Sequence, residues 1–140
     1  MADIDIHDLT DRYVAVWNEP DAERRRTAVG ELWSADAVHV LQPPKEMLRT
    51  AEGLGFDRHF LEARGHHALE FRVTRAHEEF VAPGTFVFRS RGNTVRLHNV
   101  VKFNWEMAPR AGGEVAGVGL EILILGPDGR IVSDYQFIEG

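Results

Sequence analysis

Read from the first residues, apolar positions recur at helical spacing. Between Asp8 and Asn18, the residues Leu9, Tyr13, Val16 and Trp17 follow one another at intervals of four, three and one. That stripe predicts an amphipathic helix. Pro20 ends it by disfavouring helical geometry at Glu19, and Asp21 is placed to cap the next helix. This second helix is predicted over Ala22 to Trp33, with Ala28, Val29, Leu32 and Trp33 inward and Arg24, Arg25 and Arg26 on a solvated face. Asp36 to Leu41 alternates as a short strand and stops at Pro43-Pro44. The stretch from Lys45 to Gly55 suits a short helix, with Gly53 and Gly55 marking a flap, and Phe60 to Arg64 suits a second short strand. From Gly65 to Val81 the two periods compete, because Leu69, Phe71 and Val73 also alternate. The longer recurrence of Leu69, Val73, Ala76 and Phe80, with Pro83-Gly84 as a stop, favours a third main helix.

Beyond Thr85 the period becomes two. Thr85 to Arg89 predicts a strand, and Arg91-Gly92-Asn93 a turn. Val95 to Met107 is read as one long strand, with Val95, Leu97, Asn99, Val101, Phe103, Trp105 and Met107 on one face. Ala111-Gly112-Gly113 makes a hairpin loop. Val115 to Leu125 is apolar on both faces, as a central strand is, and Ile131 to Ile138 returns after Pro127-Asp128-Gly129. The predicted fold class is α+β: three main helices packed in a strongly curved antiparallel or mixed sheet.

Composition narrows the chemistry. At 140 residues the chain suits one domain spanning 1–140, and 44% apolar content supplies a core without a metal or disulfide staple. With no cysteine, thiol nucleophiles and thiolate metal sites are excluded. A net charge of -6 argues against nucleic acid as a partner, and no apolar run approaches a membrane span. The acidic start, Met1 to His7, lacks the basic region of a signal peptide, so a cytoplasmic location is expected.

Four segments carry a family resemblance: Arg12-Tyr13-Val14-Ala15-Val16-Trp17-Asn18, Leu32 to Val38, His98 to Glu106, and Asp128-Gly129-Arg130-Ile131. With the order of elements, they resemble the nuclear-transport-factor-2-like superfamily of cone-shaped domains, and within it the SnoaL-like, polyketide cyclase-like group. The resemblance implies one deep apolar pocket between the concave sheet face and the first and third helices, and pairing of two copies through the sheet. Function stays open, because such folds host isomerases, dehydratases, hydrolases, cyclases and non-catalytic binders.

Five polar residues are therefore weighed. Glu121 stands in Gly119-Leu120-Glu121-Ile122-Leu123, where burial would raise its pKa and suit acid–base work. By the resemblance, it also holds the position of an inward acid that stabilises an oxyanion in steroid isomerases. Asp134, in Ser133-Asp134-Tyr135, resembles the last-strand Asp of limonene-type epoxide hydrolases. Their Arg-x-Asp pair is replaced here by Val101 and Phe103; parity puts Asp134 on a mixed face that it cannot assign, and a solvated or capping Asp134 is expected. His39 lies near the place of the isomerase base, which itself falls on Leu41; His39 could serve if it faced inward beside a partner such as Asp134. Tyr13 matches an oxyanion-donating tyrosine, and Asn99 is the polar member of an apolar strand face. Trp17, Phe103, Trp105 and Met107 would line a cavity for a flat, small apolar molecule, although core packing explains the same aromatics. The histidines show no metal-ligand spacing, so neither metal nor cofactor is expected. Two functions fit these residues: an acid–base enzyme of isomerase, cyclase or dehydratase type acting on a carbonyl-containing ligand, or a non-catalytic binding or dimerisation module.

Overall fold

The structure is a computed structural model, and it describes residues 4–56 and 60–139. Helix α1 (Ile6–Asn18) starts at Asp5, whose side chain accepts from the backbone N–H groups of His7 and Asp8. Helix α2 (Ala22–Leu32) starts at Asp21, which accepts from Arg24 N–H. The chain passes straight into strand β1 (Trp33–Leu41), then helix α3 (Lys45–Gly53), strand β2 (Leu61–Arg64) and helix α4 (Gly65–Ala76). Strands β3 (Phe86–Ser90), β4 (Val95–Leu97), β5 (Val100–Pro109), β6 (Gly117–Leu125) and β7 (Ile131–Glu139) complete it.

The seven strands form one mixed sheet in the order β2-β1-β7-β6-β5-β3, with β4 paired to β5. Pairing is antiparallel throughout except between β1 and β7. Register shifts between Trp33 and Val38 and between Ile124 and Leu125 mark irregularities of the kind that bend a sheet. Against it lie Leu9, Val16 and Trp17 of α1, Leu32 of α2, and Leu69 and Val73 of α4, fused with Phe103, Leu123 and Ile131 into one core. No helix among the described residues is long and apolar enough to cross a membrane.

Three details of these elements differ from what the sequence predicts. The strand expected over 95–107 is broken at His98, whose φ of 53° turns the chain back on itself. Polar residues tolerate this left-handed conformation better than bulky apolar ones do. Leu97 then pairs with Val100, so Val95 and Leu97 point to solvent at 53% and 78% exposure. Helix α4 ends at Ala76 and continues as a π-helical turn, His77–Val81, closed by Ala82 N–H donating to His77 O at 2.8 Å. The helix reading of this segment stands: Phe71, which a strand would have placed with Leu69, is 65% exposed.

Arg25 is not solvated. It is 5% exposed and donates to Glu19 O at 2.6 Å and Thr74 Oγ1 at 3.3 Å, tying α2 to α4 and to the end of α1. The expected flap is α3, a helix with no buried residue, followed by exposed Leu54 and Phe56.

Helix α1 is pinned at its other end by a side chain. Asn18 Nδ2 donates to Phe88 O at 2.6 Å and Asn18 Oδ1 accepts from Phe88 N–H at 2.9 Å, so one amide satisfies both backbone groups of edge strand β3. Asn18→Ala should cost about 1–3 kcal/mol in urea unfolding, because it strands two half-buried backbone groups at once. An unchanged unfolding midpoint would remove this bond from the account of how α1 is held.

Candidate functional site

Between the sheet and helices α1, α3 and α4 lies a cavity of about 470 Å³. Its wall is predominantly apolar: Val14 and Trp17, Leu41, Met47, Phe80, Phe88, Met107 and Ile138 contribute to it. Polar side chains reach it from few places: Tyr13, Gln42, Arg72, Trp105, Glu121 and Gln136. Glu121 is the one carboxyl lining it among the described residues.

Sheet register assembles the polar cluster. On β6, alternation puts Gly119, Glu121, Leu123 and Leu125 on the buried face. Glu121 pairs with Phe103 of β5 and Gln136 of β7, while the parallel β1–β7 ladder sets His39 opposite Asp134. Tyr13 descends from α1, its ring held 5.4–5.5 Å from those of Phe103 and Trp33. Its hydroxyl lies 2.9 Å from Glu121 Oε2 and 2.7 Å from Asp134 Oδ2. Trp105 Nε1–H donates to the other Glu121 oxygen, Oε1, at 2.9 Å. That bond depends on Gly119, the residue paired with Trp105: a Cβ there would fall 2.1 Å from the indole ring. Behind Tyr13, His39 Nδ1 sits 3.2 Å from Asp134 Oδ2, near enough for charge pairing but off the axis of a hydrogen bond.

The phenol carries one proton and faces two carboxyls, so it donates to one, and the other contact needs a proton from the carboxyl side. Burial decides which. Glu121 is fully buried, and desolvation with the nearby Asp134 charge pushes its pKa well above the usual carboxylate range, despite the donors from Trp105 and Tyr13. Burial also raises Asp134, but the neighbouring His39 and the donors from Glu121 and Tyr13 outweigh it and hold Asp134 low. Burial and the two acids push Tyr13 upward, so the phenol keeps its proton. Glu121 and Asp134 thus form a coupled pair either side of the Tyr13 hydroxyl, Glu121 raised and Asp134 lowered.

Asp134 is thus fully buried rather than solvated, because the mixed face of β7 turns Asp134 and Gln136 inward together. Tyr13, Trp17, Trp105 and Glu121 line the cavity. Phe103 packs in the core beneath Tyr13, and His39 and Asp134 stand behind the wall. Asn99 is elsewhere: it sits in the turn after β4, its side chain 3.1 Å from His98 Nδ1, so its expected place on the cavity face is corrected. Two contributors were missed. Arg72 offered no sequence signal beyond falling between Leu69 and Ala76 on the inward stripe. Gly119 was readable only as a glycine in a strand, a hint of close approach.

Chain spacing also failed to show that His39, Glu121 and Asp134 bring potential ligand atoms within 4.8 Å of one another. This His-plus-two-carboxylate set is of a kind that binds divalent cations. The Tyr13 hydroxyl already bridges the two carboxyls, so a cation and the Tyr13 proton would compete for them.

Solved structures share this fold over nearly its whole length. A candidate isomerase of the SnoaL-like family from Agrobacterium tumefaciens str. C58 aligns with TM-score 0.76 and 23% identity over 96% of this chain and 97% of its own. A SnoaL-like protein of unknown function from Burkholderia thailandensis E264 gives 0.65 and 16%, over 96% and 95%. A candidate polyketide cyclase from Sinorhizobium meliloti gives 0.60 and 13%, over 93% and 94%. At these identities the likeness establishes the SnoaL-like, nuclear-transport-factor-2-like fold. No protein-family model matches the chain. No curated protein matches it either.

The opposite shifts of the two acids give opposite pH dependences. Glu121, raised in the folded state, contributes stability that is present below its unfolded pKa and is lost as pH rises through the folded value. Asp134, lowered, contributes stability present above its unfolded pKa and lost as pH falls through the folded value. Wild-type protein should therefore lose stability relative to Glu121→Gln as pH rises from mildly acidic to alkaline, at up to about 1.4 kcal/mol per pH unit inside the window. Parallel urea-stability curves for the two proteins would contradict the assignment of the proton to Glu121.

Proposed function

We propose that the protein is a cofactor-independent acid–base enzyme in which Glu121 acts as the acid on a small, predominantly apolar carbonyl compound held in the cavity. The observation that carries this reading is a carboxyl that is completely buried in the free protein, its pKa raised by that burial, and still part of the cavity wall. An acid that is protonated near neutral pH can give its proton to a carbonyl or hydroxyl oxygen, which is what enolisation, dehydration and aldol-type cyclisation share. The Tyr13 hydroxyl can donate to the carboxylate left when Glu121 gives up its proton, and the proton released from the ligand's carbon restores the acid. Asp134 and His39 lie behind the wall and act through Tyr13. Trp105 fixes the carboxyl plane.

Leu41 lines the cavity where the resemblance to isomerases would put a base. Acid-initiated chemistry, with cavity water or the ligand itself taking the carbon-bound proton, is accordingly favoured over base-initiated isomerisation. The same Leu41 favours the non-catalytic alternative, a binding module, and one experiment separates the two. Wild-type protein in D2O with 2-tetralone, a flat apolar ketone, should accelerate exchange of the α-hydrogens read by proton NMR. Glu121→Gln should keep the circular-dichroism spectrum and slow that exchange by at least about 100-fold. The wild-type rate should fall as pH rises through the raised pKa of Glu121, since the protonated form is the active one, and should survive EDTA. No acceleration by the wild type, or equal rates in the variant, would defeat the enzymatic reading. Loss of exchange on chelation would move the chemistry to a cation at His39, Glu121 and Asp134.

The functional form is a homodimer paired through the outer sheet face. Tyr135 and Phe137 of β7 are 39% and 43% exposed there, beside half-buried Ile122 and Leu120 in the adjacent register. These four side chains make an apolar strip of the kind that marks an interface. Light scattering at micromolar concentration should give twice the chain mass of 15.8 kDa. A monomer would contradict it.

A further inference from the structure

Arg72 reaches the cavity from α4, one turn before Ala76, which also lines it. Its guanidinium carbon lies 5.2 Å from the ring centroid of Trp17, another wall residue, so the cation is stacked rather than extended into solvent. Its Nε is buried without a hydrogen-bond partner, and Arg72 makes no hydrogen bond or ion pair among the described residues. Other partly buried or surface arginines behave differently. Arg25 is bonded to Glu19 O and Thr74, Arg26 to Glu70, and Arg89 and Arg91 both to Glu106. A guanidinium stays charged in any protein setting, and leaving it desolvated and unpaired is costly.

Neither nearby acid makes an ion pair with it. Both Glu121 oxygens are taken, by Tyr13 and Trp105, and Asp134, whose Oδ1 has no hydrogen-bond partner, is fully buried behind the wall. The cavity therefore presents an acid at one place, a fixed cation at another, and an apolar wall around both. We propose that Arg72 is an anion-binding subsite, and that the natural ligand carries a carboxylate, held by the guanidinium, on its apolar body. A carboxylate matches the two-pronged fork of a single arginine, whereas a phosphate dianion would bring a charge that one cation does not balance. The inference rests on the acid–base reading only for what happens at the ligand's other end, where its reacting oxygen meets Glu121.

Binding, not turnover, tests it. Isothermal titration calorimetry would compare 2-naphthoate with 2-naphthamide, and 3-phenylpropanoate with 3-phenylpropanamide, pairs matched in shape and differing in charge. In the wild type each carboxylate should bind at least about tenfold tighter than its amide. Arg72→Met keeps the aliphatic stem on Trp17 and should bring the ratio to about one, while Arg72→Lys should retain part of it. Circular-dichroism melting would confirm that both variants are folded. Equal affinities in the wild type, a preference that persists in Arg72→Met, or no binding by either pair would overturn the subsite. Glu121→Gln should keep the carboxylate preference. A protein that prefers carboxylates but does not accelerate exchange would retain the anion site and lose the enzymatic reading. The converse result would do the reverse.

Discussion

Two carboxyls buried beside one phenol cannot both be charged at tolerable cost, and much of the interior is arranged around that constraint. Tyr13 supplies one proton to two acceptors 2.9 and 2.7 Å away. One acid must therefore hold a proton of its own. Placing His39 beside Asp134 makes that acid Glu121, and Glu121 is the one that faces the cavity. The acid whose pKa is raised thus meets the ligand space, while the one held low is set behind it.

Maintaining this order demands coordination among elements far apart in sequence. The parallel β1–β7 ladder sets His39 against Asp134, the antiparallel β6–β7 ladder brings Glu121 close to both, and α1 lowers Tyr13 between them. Gly119 then lets an indole lie across β6, so Trp105 can reach the remaining Glu121 oxygen. Arg72 is left stacked on Trp17 with its Nε unbonded, so the cavity wall carries a guanidinium that makes no ion pair among the described residues.

Much of this architecture was legible along the chain, for reasons that differ by element. The stripe through Leu9, Tyr13, Val16 and Trp17 fixes which side of α1 is inward, and Glu121 stands out because its strand neighbours are apolar. Asp134 was harder, since β7 mixes polar and apolar residues on both faces and alternation alone cannot orient it. Asn99 was misplaced because a continuous period-two pattern hides a reversal at His98, where no glycine or proline announces the turn. Arg25 and Arg72 were opaque for a common reason. Long cationic side chains bury or expose their heads according to partners that only the tertiary fold supplies. The gathering of His39, Glu121 and Asp134 likewise depends on strand order, which local spacing does not encode.

The chemistry of the site turns on where one proton resides. Carbon-13 NMR of protein labelled at glutamate side-chain carboxyls reports it directly, with the Glu121 resonance identified by its absence from Glu121→Gln. The carboxyl should show the chemical shift of a protonated acid at neutral pH and should titrate far above the surface glutamates. A resonance already ionised at neutral pH and titrating with the surface residues would contradict the central claim.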